Sequence, residues 1–585
     1  MREKSNVLFR FIALTSKCIN QEPSLFILNI LSIFLETVNN TILILLPKYL
    51  LNALSNSNLK QFVIYLLVFI GMRLIVSLVA NIINPLISKR REHFNSIIIN
   101  EFLEKSKRIK LEKFDEPGFY NLYLLSFNKC CDICQGILNI VMHLVQSALT
   151  IIITSLILSW INPLVFICMC IFVFFQTFIA NRIKKINYDF SKQVIEHNKQ
   201  LNYIYRLFYI PEYIRDIRIN NIFDFVFSKK NAVAAKVIDL NHSTKRKIAD
   251  HLFFSILLSF VEMILINGYL GYMVLNGTIW IDMYVTSQSS YSHLESSISS
   301  ILELYTQIYE NDLYVKDYLN YLSAEEEVCG NIHIQSNEIR KITFDNVCFI
   351  YPNTSVYALQ NVSFSINRGE KILISGENGA GKTTVIRLLL RLYDPSSGHI
   401  KINDIDIKEY SISSIRQSFS TLLQDSETYA FSIYDNLCFG KRTAMNGIKD
   451  IMKKVELNEV IENLKNGFDT PISSQIYNNG IDFSAGEKQK LILARCFLKG
   501  NETYILDEPT SNLDVNAETN ILSPIINASN VTLILISHKL KYVKSIDKII
   551  FLKKGQIIEK GTKRQILSKE NGEFAKLYNS YINKL

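Results

Sequence analysis

The residues Gly376, Glu377, Asn378, Gly379, Ala380, Gly381, Lys382 and Thr383, followed by Thr384, have the types and spacing of a phosphate-binding loop. They follow an apolar run, Lys371–Ser375, and open an apolar-periodic segment, Thr384–Tyr393, which predicts a strand, a loop and a helix in that order. Glycines let the backbone curl until its N–H groups point at phosphate oxygens. Lys382 then bridges the outer phosphates, and the Thr383 hydroxyl is a ligand for Mg²⁺. Downstream, Thr503–Asp507 reads as a buried strand that ends in two carboxylates, Asp507 and Glu508. Asp507 would hold Mg²⁺ through its water shell, and Glu508 is placed to polarise an attacking water. A second buried strand, Val531–Ile536, ends at Ser537 and His538, from which an imidazole could reach the γ-phosphate. Gln424 lies between the loop and these strands, a candidate catalytic and metal-ligating residue. Phe349 and Tyr351 offer an aromatic face to adenine, where stacking is worth ~1–3 kcal/mol.

Ser484, Ala485, Gly486 and Glu487 follow Phe483, and Ser484 and Glu487 have capping-box spacing. They predict a helix N-terminus running into Lys490–Leu498. The unpaired N–H groups and positive dipole end of such a terminus suit a γ-phosphate. Taken in order, Tyr351, Gly376–Thr383, Gln424, Ser484–Glu487, Asp507 with Glu508, Ser511–Asp514 and His538 resemble the ATP-binding cassette (ABC) transporters over the whole of residues 340–585. The resemblance implies ATP and Mg²⁺ as cofactors and ATP hydrolysis coupled to transport. It also implies head-to-tail pairing of two cassettes, each signature segment (Ser484–Glu487) closing the partner's ATP site, with Asp514 in the D-loop. The usual signature is Leu-Ser-Gly-Gly-Gln. Glu487 also occurs in related exporters, whereas Ala485 adds a methyl group where backbone would approach the partner's phosphate. Because Glu508 is retained, the chain suits either a homodimer or the Glu-bearing half of a heterodimer.

At 585 residues the chain exceeds a single domain, and its composition is divided. Long Ile/Leu/Val/Phe runs dominate the first three hundred or so residues, so the mean hydropathy of +0.14 averages two unlike halves. The net charge of +9 would fit a nucleic-acid partner, but its placement argues against one. Basic residues gather at the ends of apolar spans, as at Lys89–Arg91, Lys105–Lys113 and Arg182–Lys185, the positive-inside pattern of membrane proteins. The ten cysteines are scattered and expected to be free thiols; Cys130, Cys131 and Cys134 lack a fourth ligand at zinc-like spacing. No cleavable signal is expected at the N-terminus, and no soluble peptidase domain ahead of the first span.

Windows long enough to cross ~30 Å of hydrocarbon fall near 24–50, 61–86, 134–159, 161–180 and 251–276, with a more polar sixth near 280–305. Short connections at 159–163 and 276–282 carry no Lys or Arg and are placed outside, while the basic segments 87–133 and 181–250 are placed in the cytosol. Both termini are then cytosolic, on the side where ATP is. Lys113–Tyr120 and Arg206–Asn221 resemble the coupling helices of ABC exporters.

Charged groups within spans are costly and read as functional or paired. Glu36 and Arg73 fall at matching depth, which predicts a pair locking two helices. Glu262, Glu295 and His293 are candidates for a substrate cavity, and a stripe from Thr286 through His293 to Ser300 predicts a helix facing a cavity rather than lipid. The expected architecture is an α-helical transmembrane domain of six spans and ABC exporter type (1–325), a linker (326–339) and an α/β P-loop NTPase cassette (340–585). The expected function is ATP-driven export across the cytoplasmic membrane by a dimer of half-transporters, of a peptide such as a bacteriocin or lantibiotic. A multidrug or lipid exporter, and an ATP-gated channel or sensor that does not pump, are the alternatives.

Overall fold

The computed structural model describes residues 2–161, 163–441, 443–569 and 571–583. The chain forms two compact units: residues 1–107 with 121–324, and residues 108–120 with 325–585.

The first unit is helical. Its elements are α1 (Arg2–Gln21), α2 (Pro23–Ser55), α3 (Leu59–Arg108), α5 (Pro117–Ile161), α6 (Pro163–Tyr209), α7 (Pro211–Ile219), α8 (Phe223–Leu275) and α9 (Ile281–Leu322). The short α4 (Leu111–Phe114) falls in the segment assigned to the second unit. Proline opens α2, α6 and α7, where its missing N–H is an orphan of the first turn in any case. Helices α2, α3, α5, α6 and α8 contain stretches long and apolar enough to cross a membrane. The sixth, α9, has the length but carries the polar stripe. Some of its hydroxyls are satisfied from within the helix: Thr286 donates to the Asp282 carbonyl (2.7 Å) and Ser297 to that of His293 (2.8 Å), while those of Ser287 and Ser290 are buried without a partner among the described residues.

The long basic segments are not separate domains. They are continuations of α3, α5, α6 and α8 beyond the apolar windows, turned back at α4 and α7. Lys113–Tyr120, read from sequence as one coupling helix, straddles the end of α4 and the start of α5. The expected Glu36–Arg73 lock does not form. Gln146 of α5 donates to Glu36 at 2.6 Å instead, and among the described residues Arg73 has no ion-pair partner and is exposed.

Apolar packing joins the spans. Leu158, Met169, Ile266, Leu270, Tyr291 and Leu294 form one buried cluster from α5, α6, α8 and α9. Toward the end of α9, Phe102 of α3 is fully buried and stacks on Tyr321 with centroids 4.0 Å apart, while the Tyr321 hydroxyl donates to the Phe102 carbonyl at 2.8 Å. Arg10 of α1 holds Asp312 of α9 through both carboxylate oxygens, each at 2.7 Å.

The second unit is built on two sheets. Strands β1 (Lys341–Ile350), β2 (Tyr357–Asn367), β4 (Ser397–Ile402) and β5 (Ile405–Asp406) form an antiparallel sheet in the order β2-β1-β4-β5. The other sheet contains β3 (Lys371–Gly376), β6 (Phe419–Leu422), β7 (Thr503–Asp507), β8 (Thr532–Ile536), β9 (Lys548–Lys553) and β10 (Gln556–Thr562), in the order β10-β9-β3-β8-β7-β6. From β9 to β6 all its pairs are parallel. Helices cover this sheet, so β3 and β8 are buried almost throughout, which is why they read as unbroken apolar runs.

Replacing Phe102 with Ala is expected to destabilise the helical unit by about 3–5 kcal/mol. Thermal unfolding of the detergent-solubilised chain measures this, and Phe102→Leu, which keeps most of the volume, should lose clearly less.

Candidate functional site

Parallel strands end on the same side, so the loops after β3, β7, β8 and β6 meet along one edge of the sheet. Register places them: Ile374 of β3 and Asp507 of β7 both pair with Ile536 of β8, and Leu422 of β6 pairs with Leu506. The phosphate-binding loop, Asp507 with Glu508, His538 and Gln424 all leave from this edge.

The loop after β3 carries Glu377, Asn378 and Gly379 exposed and Ala380 buried, and Lys382 begins helix α10 (Lys382–Leu389). Glycine is required at two of its positions. A Cβ on Gly376 would lie 2.1 Å from the Leu552 carbonyl oxygen, and one on Gly381, at φ +97°, would lie 2.5 Å from that of Ala358. The Lys382 ammonium is buried and donates to the carbonyls of Gly376 (3.1 Å) and Glu377 (2.9 Å). Burial lowers its pKa, against the pull of the Glu508 and Asp507 charges. The aromatic face proves smaller than expected. Phe349 belongs to the buried core, and only Tyr351 is partly open, packed edge-on against Phe349 and Tyr393, its hydroxyl 3.0 Å from Thr384 Oγ1.

Asp507 is 1% exposed, and neither carboxylate oxygen has a partner in full hydrogen-bond geometry. Burial pushes its pKa up to about 6; the Thr383 hydroxyl works against the rise and the Glu508 charge adds to it. Glu508 stands at φ +48°, a left-handed conformation that a non-glycine residue adopts at a cost of ~1–3 kcal/mol and that clusters at functional sites. Its N–H donates to the Ile536 carbonyl at 3.0 Å, and its Oε1 lies 3.2 Å from His538 Nε2. Gln424, Asp507 and Glu508 line a pocket of about 310 Å³ with Ala485, Gln489 and Asn512; the phosphate-binding loop and Tyr351 do not line it.

The capping box forms: Ser484 accepts from the Glu487 N–H, and Glu487 accepts from that of Ser484, at the start of the helix Ala485–Lys499. Ala485 is exposed, whereas a Cβ on Gly486 would come within 3.1 Å of the Asn512 carbonyl oxygen. Asp514 caps the helix Val515–Asn527, accepting from the N–H groups of Asn516 and Ala517.

Two contributors escaped the sequence reading. Gln489, within a run of charged residues that reads as helix surface, is buried: its amide donates to the Glu508 carbonyl (3.3 Å) and its oxygen accepts from the Asn512 N–H (2.8 Å). Glu518 is also buried. It receives the Tyr542 hydroxyl, the Thr510 hydroxyl at 2.8 Å, and the ammonium groups of Lys539 and Lys541, each at 2.9 Å. Lys539 donates onward to the Thr510 carbonyl, so this cluster ties the loop after β7 to the loop after β8. Sequence periodicity carries no signal for either residue, because both are polar groups on otherwise ordinary helices.

In the helical unit, the three residues expected to share a cavity do not. His293 lines one of about 580 Å³ with Glu36, His143 and Glu303. Glu295 lines a separate one of about 350 Å³ with Phe260, Met263 and Tyr291. Glu262 is buried in α8 and lines neither. At 3.6 residues per turn, positions two apart face nearly opposite ways, so His293 and Glu295 cannot serve one side of α9.

A doubly wound sheet with these loops on its carboxyl edge is a nucleotide-binding NTPase cassette, and residues 359–511 match the ABC transporter family model. The chain superposes on the structure of a bacterial Atm1-family ABC exporter with ATP bound, with a TM-score of 0.81 at 18% identity, covering 96% of this chain and 98% of that one. Over residues 359–511 the chain is similar to the ABC transporters, and as a whole it has the fold of that exporter. It is similar to the subtilin transport ATP-binding protein SpaT of Bacillus subtilis, 26% identical over 473 residues that cover 80% of this chain and 76% of that protein. It is also similar to the ATP-dependent lipid A-core flippase of Coxiella burnetii, 37% identical over 240 residues, spanning only 40% of the length of each.

The bonds to Glu518 overcome the upward push of burial and hold its pKa at about 2, below its ordinary 4.5. The stability it contributes is therefore full above pH 4.5 and lost as pH falls toward 2. Glu518→Gln should cost about 3 kcal/mol at neutral pH and flatten the acid limb of stability against pH, as read by chemical denaturation of the purified chain.

Proposed function

We propose that this chain is one half of a dimeric, ATP-driven exporter of the cytoplasmic membrane, with its cassette and both termini in the cytosol. The observation that carries the reading is the meeting of Glu508 and His538 at 3.2 Å beside the buried, unpartnered Asp507, at the edge where the phosphate-binding loop begins. A pocket that only sensed nucleotide would need neither a carboxylate aimed past the end of its strand nor an imidazole to hold it.

The residues fit a divalent cation. Asp507 presents two oxygens that, among the described residues, have no donor in full hydrogen-bond geometry, and Thr383 and Gln424 are the neighbouring oxygen ligands expected from sequence. Bound there with ATP, Mg²⁺ would neutralise phosphate charge. Lys382 exchanges the carbonyls of Gly376 and Glu377 for phosphate oxygens, and the N–H groups of the loop Gly376–Thr383 cradle them. Glu508 accepts the proton of the attacking water as the general base, with His538 orienting its carboxylate. The start of the helix Ala485–Lys499 closes the ATP site of a second cassette. Ala485 is exposed, so its methyl costs the fold of its own chain nothing and acts on that closure alone. Alternation between two states of differing affinity for nucleotide and cargo drives transport.

For cargo we infer a peptide. The subtilin transport protein supports this, because the likeness runs along 80% of this chain and 76% of that protein. A lipid is the second reading, favoured by the higher identity to the lipid A-core flippase over a shorter stretch. The second half is a copy of this chain or a related half-transporter; the retained Glu508 suits both.

Glu508→Gln should reduce steady ATP turnover at least ~100-fold while Mg-ATP binding persists, as measured by phosphate release and nucleotide titration on reconstituted protein; undiminished turnover would remove the base assignment. Because burial holds the Asp507 carboxyl protonated below about pH 6, Mg-nucleotide affinity should weaken as pH falls through that value. Affinity that stays flat from pH 7 to 5 would show that Asp507 does not face the metal.

A further inference from the structure

A cavity of the helical unit, about 580 Å³, lies between α2, α5 and α9. Its volume falls within the ~300–1,000 Å³ of small-ligand sites, so it admits a few side chains of a larger molecule and not a folded domain. Among the described residues Leu304 is the only aliphatic side chain that lines it; the others are Glu, His, Asn, Gln, Ser and Thr. An acyl chain would find almost nothing apolar there to bury against.

The charges in this cavity are of one sign. Glu36 enters from α2 and Glu303 from α9, so carboxylates stand on two separate walls, and among the described residues no Lys or Arg lines the space. Among the described residues neither carboxylate has an ion-pair partner; Glu36 accepts one hydrogen bond, from Gln146 at 2.6 Å. His143 and His293 add ring nitrogens from α5 and α9. Carboxylates within membrane helices are costly unless they meet a counter-charge, and among the described residues neither of these meets one. The neighbouring cavity of about 350 Å³ differs: Ile256, Phe260 and Met263 form an apolar wall there, and Glu295 is its single acidic group.

We propose that the cavity between α2, α5 and α9 binds a cationic group of the exported molecule, an ammonium or guanidinium, with Glu36 and Glu303 as its counter-charges. This rests on the export reading and narrows it, toward basic peptides and away from anionic lipids. The two carboxylates select by charge, and the amides, hydroxyls and imidazoles between them complete the hydrogen bonding of a group with several N–H donors. Anionic cargo is repelled from both walls.

The test uses the full chain in lipid nanodiscs and inside-out vesicles. The probes are a lysine-bearing amphipathic peptide and the same peptide with every lysine replaced by glutamine. The wild type should bind the lysine peptide roughly tenfold more tightly, a ratio that one charge contact can supply. Combining Glu36→Gln with Glu303→Gln should bring the two affinities within about twofold of each other. Equal affinities in the wild type, or a lysine preference that survives both substitutions, would overturn the proposal. Should the double variant lose both peptides, the charge-conserving pair Glu36→Asp and Glu303→Asp decides: a restored lysine preference supports the proposal, and its absence overturns it. Vesicle uptake separates this inference from the reading beneath it. Lysine-selective binding without ATP-dependent uptake leaves the cationic site standing and removes export, whereas equal uptake of both peptides keeps export and removes the site.

Discussion

Backbone hydrogen bonds along β3, β8, β7 and β6 hold four strands side by side in one direction, and the chemistry of the cassette depends on that ladder. Because the pairs are parallel, the strands share a carboxyl edge, and residues from Gly376 to His538 meet there although well over a hundred positions separate them. Burial on both faces pins the register, since a one-residue slip would turn every side chain to the opposite face. The same ladder explains the conformation of Glu508. Its N–H is held by the Ile536 carbonyl while its backbone turns to positive φ, which carries the side chain out of the strand line toward His538.

Two buried carboxylates near this edge are treated in opposite ways. Asp507 has no donor in hydrogen-bond geometry and is pushed up to about 6, whereas Glu518 is surrounded by hydroxyls and ammonium groups and held at about 2. A group left unsatisfied inside a protein costs free energy that a bound cation recovers; a saturated one rigidifies its surroundings. Glu518 and Gln489 accordingly connect the strand ends to the segment Ser511–Asp514, to the loop of His538 and to the helix Ala485–Lys499, so displacement at any of these is felt by the others.

The helical unit faces a different constraint. Apolar residues on α2, α3, α5, α6 and α8 can rest against hydrocarbon, but the serines and threonines of α9 cannot do so unbonded. Thr286, Ser297 and Ser300 return their hydroxyls to carbonyls one turn back, whereas Ser287 and Ser290 are buried without a partner among the described residues. Among the described residues, the acidic side chains Glu36, Glu303 and Glu262 lack such local partners. The first two open into the same cavity, and the third is enclosed in α8.

Much of this molecule was legible in the chain itself. Unbroken apolar runs announce buried parallel strands and membrane-length helices because both elements exclude water all round. Glycine spacing announces the phosphate loop because only a residue without Cβ fits against Leu552 and Ala358. Ser484 and Glu487 announce a helix start because capping is local. What the chain could not announce was anything set by facing and neighbours. Phe349 reads as available to adenine and is core; Gln489 and Glu518 carry no signal in the sequence and are buried; Arg73 reads as the partner of Glu36, which instead takes Gln146 from a helix more than a hundred residues on. His293 and Glu295, two positions apart on α9, open into two cavities. Local chemistry is written in adjacent residues, but the partner of a polar side chain is chosen by helix rotation and strand order, and those exist only once the whole chain has packed.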